Sequence, residues 1–94
     1  MKIVNLYKIP NTPGRIKATF SIDFGILLIR DCKLISGQDG DLWAAMPNRS
    51  YMENGQKKFA GIVQIKDTKI MDFITNAARE LFESGGMSGV EYEI

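Results

Sequence analysis

The sequence predicts an α+β domain, an antiparallel sheet of four to five strands followed by a C-terminal amphipathic helix packed on it. Three observations carry that expectation. Residues 15–23, RIKATFSID, alternate strictly, with Ile16, Ala18, Phe20 and Ile22 on one side and Lys17, Thr19, Ser21 and Asp23 on the other. A period of two means a strand with one packed and one wet face. Apolar runs before and after it are separated by clusters of Gly, Pro, Asn and Asp, the residues that tight turns require. From Ile70 onward the apolar positions become Ile70, Phe73, Ile74, Ala77 and Leu81, the 3, 4 spacing of a helix with one buried stripe. Consecutive strands joined by short turns, then a helix, give an antiparallel sheet with the helix on one face.

Each element follows in order. Residues 2–9, KIVNLYKI, are rich in β-formers and end at Pro10, so they read as a first strand. Asn11-Thr12-Pro13-Gly14 is a turn, and 15–23 is the returning strand. Phe24-Gly25 breaks the alternation. GILLIRDCKLIS then reads as a long third strand, apolar on both faces from Ile26 to Ile29, as a central or doubly covered strand would be. Gly37 to Asp41 is a second turn, and LWAAMP a short fourth strand whose Pro47 lacks an N–H and therefore lies at its end. Residues 48–56 read as a loop with Asn54-Gly55 at its tip, and KKFAGIVQI at 57–65 as a fifth strand. The helix is expected over about 67–83, capped by Asp67 or Thr68, with Asp72 near the first turn suiting the dipole and Ser84-Gly85-Gly86 stopping it. The tail, 84–94, alternates Val90, Tyr92 and Ile94 with Glu91 and Glu93 and reads either as an edge strand or as a trailing segment.

A chain of 94 residues is one domain with a modest core, so oligomerisation, most simply a homodimer through sheet edges, is expected to add stability. Composition is that of a globular protein, 45% hydrophobic and 24% charged. No apolar run approaches the roughly 20 residues of a bilayer span, and MKIVNLYKIP lacks the apolar core of a secretory signal. The expectation is a cytoplasmic protein with no membrane partner, in which the lone Cys32 stays reduced as a small buried residue.

There is no histidine. With one cysteine besides, no thiolate or imidazole metal site assembles, and Ser-His and Cys-His nucleophilic catalysis are excluded. Asp39 and Asp41 share a glycine-rich turn, but their spacing is not that of a calcium loop and turn geometry alone explains them. The glycine clusters lack the lysine and Ser/Thr of a phosphate loop. The reading is therefore a non-enzymatic protein with no cofactor, no metal and no small-molecule substrate.

Charge is segregated. Residues 1–35 carry six basic and two acidic side chains, a balance of +4, whereas 70–94 carry Arg79 against five carboxylates, a balance of −4. Such a split suits one basic surface, a footprint for a polyanion. The strongest local grouping is Arg49, Lys57, Lys58, Lys66 and Lys69, all within 21 residues, with Tyr51 among them. Arg and Lys neutralise phosphates, a helix N-terminus offers free N–H groups to them, and Tyr51 can stack on an exposed base, with Met52 a weaker substitute. Arg49, Tyr51, Lys57, Lys58, Lys66 and Lys69 form the predicted nucleic-acid site.

The run Arg30-Asp31-Cys32-Lys33-Leu34-Ile35-Ser36-Gly37, then Gly40, then Leu42-Trp43-Ala44-Ala45-Met46-Pro47-Asn48-Arg49, resembles the SpoVG family (septation regulator, stage V sporulation protein G), whose core reads like D-I-R-V-I-D-G-x-x-G-x-F-V-A-M-P-S-[KR]. The order of elements matches over residues 1 to about 83. The resemblance implies a small α+β protein, usually dimeric through its sheets, that binds DNA and RNA as a bacterial regulator. Its nucleic-acid contacts map by position onto Arg49, Lys57, Lys58, Lys66 and Lys69. Two departures lower the charge available for phosphate. Val63-Gln64-Ile65 stands where the family tends to read H-P-I, and Asn48-Arg49-Ser50 carries one basic residue where a second is usual. The alternative reading is a divergent dimer that serves as a protein-interaction module and has lost nucleic acid.

Overall fold

The computed structural model describes residues 1–9 and 14–84. It is α+β. Strands β1 (Lys2–Lys8), β2 (Ile16–Asp23), β3 (Leu28–Ser36) and β4 (Leu42–Ala45) form one antiparallel sheet in the order β1-β2-β3-β4. Strands β5 (Asn48–Glu53) and β6 (Gln56–Gly61) form a separate two-stranded sheet, and helix α1 (Thr68–Ser84) closes the described chain. The turn expected at 11–13, the helix stop at Gly85-Gly86 and the tail lie outside the described residues.

One face of the larger sheet and one stripe of the helix make the core. Ala18, Phe20 and Ile22 of β2 are buried as the alternation requires, with Ile3 and Leu6 of β1, Ile29, Cys32 and Leu34 of β3, and Ala44 of β4. The helix contributes Ile74, Ala77, Ala78 and Leu81. Phe73, expected in that stripe, is 39% exposed. At about 100° per residue it sits roughly a quarter turn from Ile74, and the partly buried Met71 and Phe82 widen the stripe on the other side. Asp67 caps the helix by accepting the Lys69 and Ile70 N–H groups at 2.9 and 3.4 Å. Asp72 lies beyond the first turn, which carries no acidic residue.

Three register shifts shape the sheet. At the start of β2, between Ile16↔Ile35 and Ala18↔Leu34, β2 advances one residue more than β3, so Ile16, expected on the packed side with Ala18, pairs with Ile35 in the row next to Trp43. Between Val4↔Ser21 and Tyr7↔Thr19, β1 advances one residue more than β2, and Asn5 absorbs the extra residue at φ 54°. Between Ile22↔Ile29 and Phe20↔Cys32, β3 does the same, with Asp31 at φ 61°. Asn and Asp tolerate this left-handed conformation better than other side chains, and a bulge of this kind bends its strand and re-aims the side chains that follow. The shift explains why Ile3 and Leu6, three apart, share the core face.

The third strand is shorter than the sequence implied. Chain reversal occupies 24–27, where Phe24 N–H donates to the Leu27 carbonyl at 2.8 Å and Gly25, at φ 91°, donates its N–H to the Asp23 carboxylate at 2.7 Å. Ile26 at the tip is fully exposed rather than within a doubly covered strand.

The edge of β4 is occupied by the helix. Thr75 Oγ1 accepts the Ala44 N–H at 3.3 Å, and Arg79 Nε donates to the Leu42 carbonyl at 2.7 Å. An uncovered edge is a template for further pairing, and these two side chains remove it here.

Candidate nucleic-acid interface

The stretch that reads as a loop in the sequence is a strand. β5 pairs with β6 from Asn48↔Gly61 to Glu53↔Gln56, closed by Asn54 (φ 53°) and Gly55 (φ 77°). Two consecutive positive φ angles define the type I′ turn, whose twist matches that of the strands it joins. The hairpin is anchored only at its base. Met46 leaves the core on the way out, the Ile62 N–H donates to the Pro47 carbonyl at 3.1 Å, and Val63 and Ile65 pack back on the core. Beyond that base every residue of β5, and all of β6 but the half-buried Ala60, is exposed. The strands of the hairpin pack on each other, while the helix packs on β4, β1 and β3. The result is an arm about 20 Å long.

Register sorts the arm into two faces. Arg49, Tyr51 and Lys58 share one, since Tyr51 lies opposite Lys58, and the Arg49 guanidinium sits 5.9 Å from the Tyr51 ring centre. Lys58 also approaches Glu53 at 3.6 Å, an exposed pair that solvent screens. The other face carries Met52, Lys57 and Phe59, with the Lys57 ammonium 5.5 Å from the Phe59 ring centre. Met52 and Phe59 are 68% and 63% exposed. Each face therefore pairs an aromatic ring with a cation, the combination that lets a base stack while its phosphate is neutralised.

Four of the six predicted site residues, Arg49, Tyr51, Lys57 and Lys58, thus come together on the arm. Lys66 and Lys69 are exposed but belong to the approach to α1 and its first turn. The helix N-terminus there already has an anion, because Asp67 takes the N–H groups a phosphate would use.

Sequence reasoning missed Phe59, which stood only as part of the fifth strand expected at 57–65 and is exposed on the arm. It also missed a second surface, the face of the larger sheet turned away from the helix. Tyr7, Thr19, Lys33 and Ala45 form a row across all four strands. Next to it Ile16, Ile35 and Trp43 form another, with the Arg15 guanidinium 5.7 Å over the Trp43 ring and its Nε donating to the Ser36 carbonyl at 3.1 Å. On the other side of the Tyr7 row the bulges at Asn5 and Asp31 flank Ser21 and open a concavity of about 380 Å³, lined by Tyr7, Thr19, Ser21, Leu28, Arg30 and Asp31 among others. The surplus of basic residues in 1–35 was the available signal.

The aspartates of the turns serve the backbone. The Asp39 carboxylate accepts the Asp41 N–H at 3.3 Å, and Gly37 is required because a Cβ there would come within 2.8 Å of Trp43. Cys32 is buried and reduced, its thiol 4.0 Å from the Ile29 carbonyl. Burial first, and the neighbouring Asp31 second, push its pKa up to about 12, against a smaller opposing effect of Lys33.

No family model, curated protein or solved structure matches the chain. Among the described residues, no helix is long and apolar enough to cross a membrane.

Proposed function

We propose that this chain is a non-enzymatic nucleic-acid-binding regulatory protein, acting on DNA or RNA in the cytoplasm, that grips the phosphate backbone with the β5–β6 arm. The observation that carries the reading is the arm itself, a projecting hairpin with Arg49, Lys57 and Lys58 exposed and a cation–aromatic pair on each face. Cations on a narrow arm reach phosphates without desolvating a core, and Tyr51 and Phe59 supply π-faces to an unstacked base. Lys66 and Lys69 add charge at the helix start. The likeness of residues 30–49 to the SpoVG core motif supports the same reading, together with a dimeric, septation- or sporulation-type regulatory role.

Titration of fluorescent DNA and RNA oligomers with the full chain and with R49A/K57A/K58A tests it. The triple substitution should remove most of the affinity and flatten the duplex salt slope by roughly 3, from about 0.9 per neutralised phosphate. Equal binding by the variant would move the site off the arm.

A second reading has its own observation. An isolated hairpin is marginal in water, and this one exposes Met52 and Phe59 with Ile62 beside its base at 62%. A protein-interaction module, or a dimer formed by the arm, would bury them. Sedimentation of the chain without nucleic acid separates the two, because the M52S/F59S variant should then lose a partner that R49A/K57A/K58A keeps.

A further inference from the structure

We infer that the open face of the four-stranded sheet is a stacking platform for single-stranded nucleic acid, with Tyr7 and the Arg15–Trp43 pair as its two base stations, Lys33 as a phosphate ligand between them and Arg30 as a second one on the far side of Tyr7. The inference rests on the nucleic-acid reading above and names the class of strand that the protein takes.

The helix covers only one side of this sheet, and the uncovered side does not look like a solvated polar surface. Tyr7 is 56% exposed, Leu28 42% and Trp43 39%. Apolar neighbours are present on one side, Ile16, Ile35 and Ala45 beside Trp43. Thr19 and Lys33 stand between Tyr7 and Trp43, and Ser21, Arg30 and Asp31 lie on the far side of Tyr7, so hydroxyls and a surplus of cations are interleaved with the rings. Aromatic rings interleaved with hydroxyls and positive charge on an open antiparallel face match the chemistry of an unpaired strand, which offers π-faces, base edges and phosphates together. Among the described residues, neither Arg30 nor Lys33 has an ion-pair partner. Arg15 is held over Trp43 by its bond to Ser36, so the indole carries a fixed cation beside it.

Geometry sets the length of strand. Tyr7 lies on β1 and Trp43 on β4, three strand spacings apart and one row offset, so the two stations are separated by roughly 16 Å. An extended single strand covers that in about two to three nucleotides. A duplex does not fit this arrangement, because its bases are already stacked and its rigid backbones would hold them off the sheet. The bulges at Asn5 and Asp31 add the concavity next to Tyr7, where Thr19 and Ser21 offer hydroxyls to a base edge. Asp31 is the acidic group at its rim, and it limits affinity.

The test compares a single-stranded oligonucleotide with the duplex of the same length by anisotropy, using the full chain, Y7A, R30Q and D31N, with the emission of the sole tryptophan, Trp43, as a second readout. Tyr7 and Arg30 are exposed, so their variants fold. The expected result is a change of Trp43 emission with single strands only. Y7A should lose roughly five- to hundredfold in single-strand affinity with duplex binding unchanged, and R30Q should lower the single-strand salt slope by about 0.7. D31N should bind single strands more tightly. Single-strand binding that Y7A and R30Q leave intact overturns the platform while the arm reading stands. A chain that self-associates and is dissociated by Y7A assigns the face to a second copy and overturns it too. Binding to neither nucleic acid overturns the platform and the proposed function together.

Discussion

Replacing Arg79 by alanine should uncover the edge of β4, and the cost follows from two contacts. Arg79 Nε donates to the Leu42 carbonyl at 2.7 Å, a short bond from a charged donor. Such bonds contribute about 1.5–3 kcal/mol when dry, and the half-buried position of Arg79 brings this to about 1–2 kcal/mol. The neighbouring Ala44 N–H, held by Thr75 at 3.3 Å, is the weaker tie and should survive. A domain of this size has a total stability on the order of 5–14 kcal/mol, and each kcal/mol moves Tm by roughly 4–8 °C. Thermal unfolding of R79A followed by circular dichroism should therefore show a fall of about 5–15 °C. Sedimentation should show more self-association, since an open strand edge recruits another. A fall under about 2 °C with no change in association would refute the reasoning, because the carbonyl would then be served as well by water.

Three further outcomes follow from particular residues. Gly55→Ala places a Cβ at φ 77° in the hairpin turn, costing about 1–2 kcal/mol locally; faster hydrogen exchange of β5 and β6 amides, with β2 unchanged, is the expected signature. Asp67→Ala removes the helix cap at a cost of about 0.5–2 kcal/mol, read as a lower urea midpoint with an unchanged slope. Cys32 has its folded pKa pushed up from 9.0 to about 12, so its contribution is complete below pH 9 and is lost as pH rises from about 9 to 12. The unfolded chain releases its proton first in that window, which favours unfolding. Unfolding by urea at pH 8 and pH 10.5 should show this loss in the wild type and less of it in C32A, and maleimide should label the thiol only as fast as the chain opens.

What the sequence disclosed depended on whether a face was buried. β2 and α1 were legible because one side of each meets the core, leaving a period of two in Ala18, Phe20 and Ile22 and of 3, 4 through Ile74, Ala77 and Leu81. β5 was not, because both of its faces are wet and Asn48–Glu53 carries no hydrophobic alternation. Its one signal was Asn54-Gly55, a two-residue turn that needs a strand on each side. The bulges were hidden for a different reason. Asn5 and Asp31 look like ordinary polar residues on the wet side of a strand, and only the register shows that each inserts a residue and turns Leu6 or Cys32 inward. Of the site, the charges of the arm were legible as a cluster, and their division onto two faces was not. The platform of Tyr7, Arg30 and Trp43 comes from three different strands and exists only in the paired sheet.

The salt dependence of binding tests the central claim most directly. With Arg49, Lys57 and Lys58 on the arm and Lys66 and Lys69 near the helix start, three to five phosphates are neutralised, and the duplex log–log slope should be roughly −3 to −5. Micromolar protein that shows no salt-sensitive binding to DNA or RNA would contradict the account.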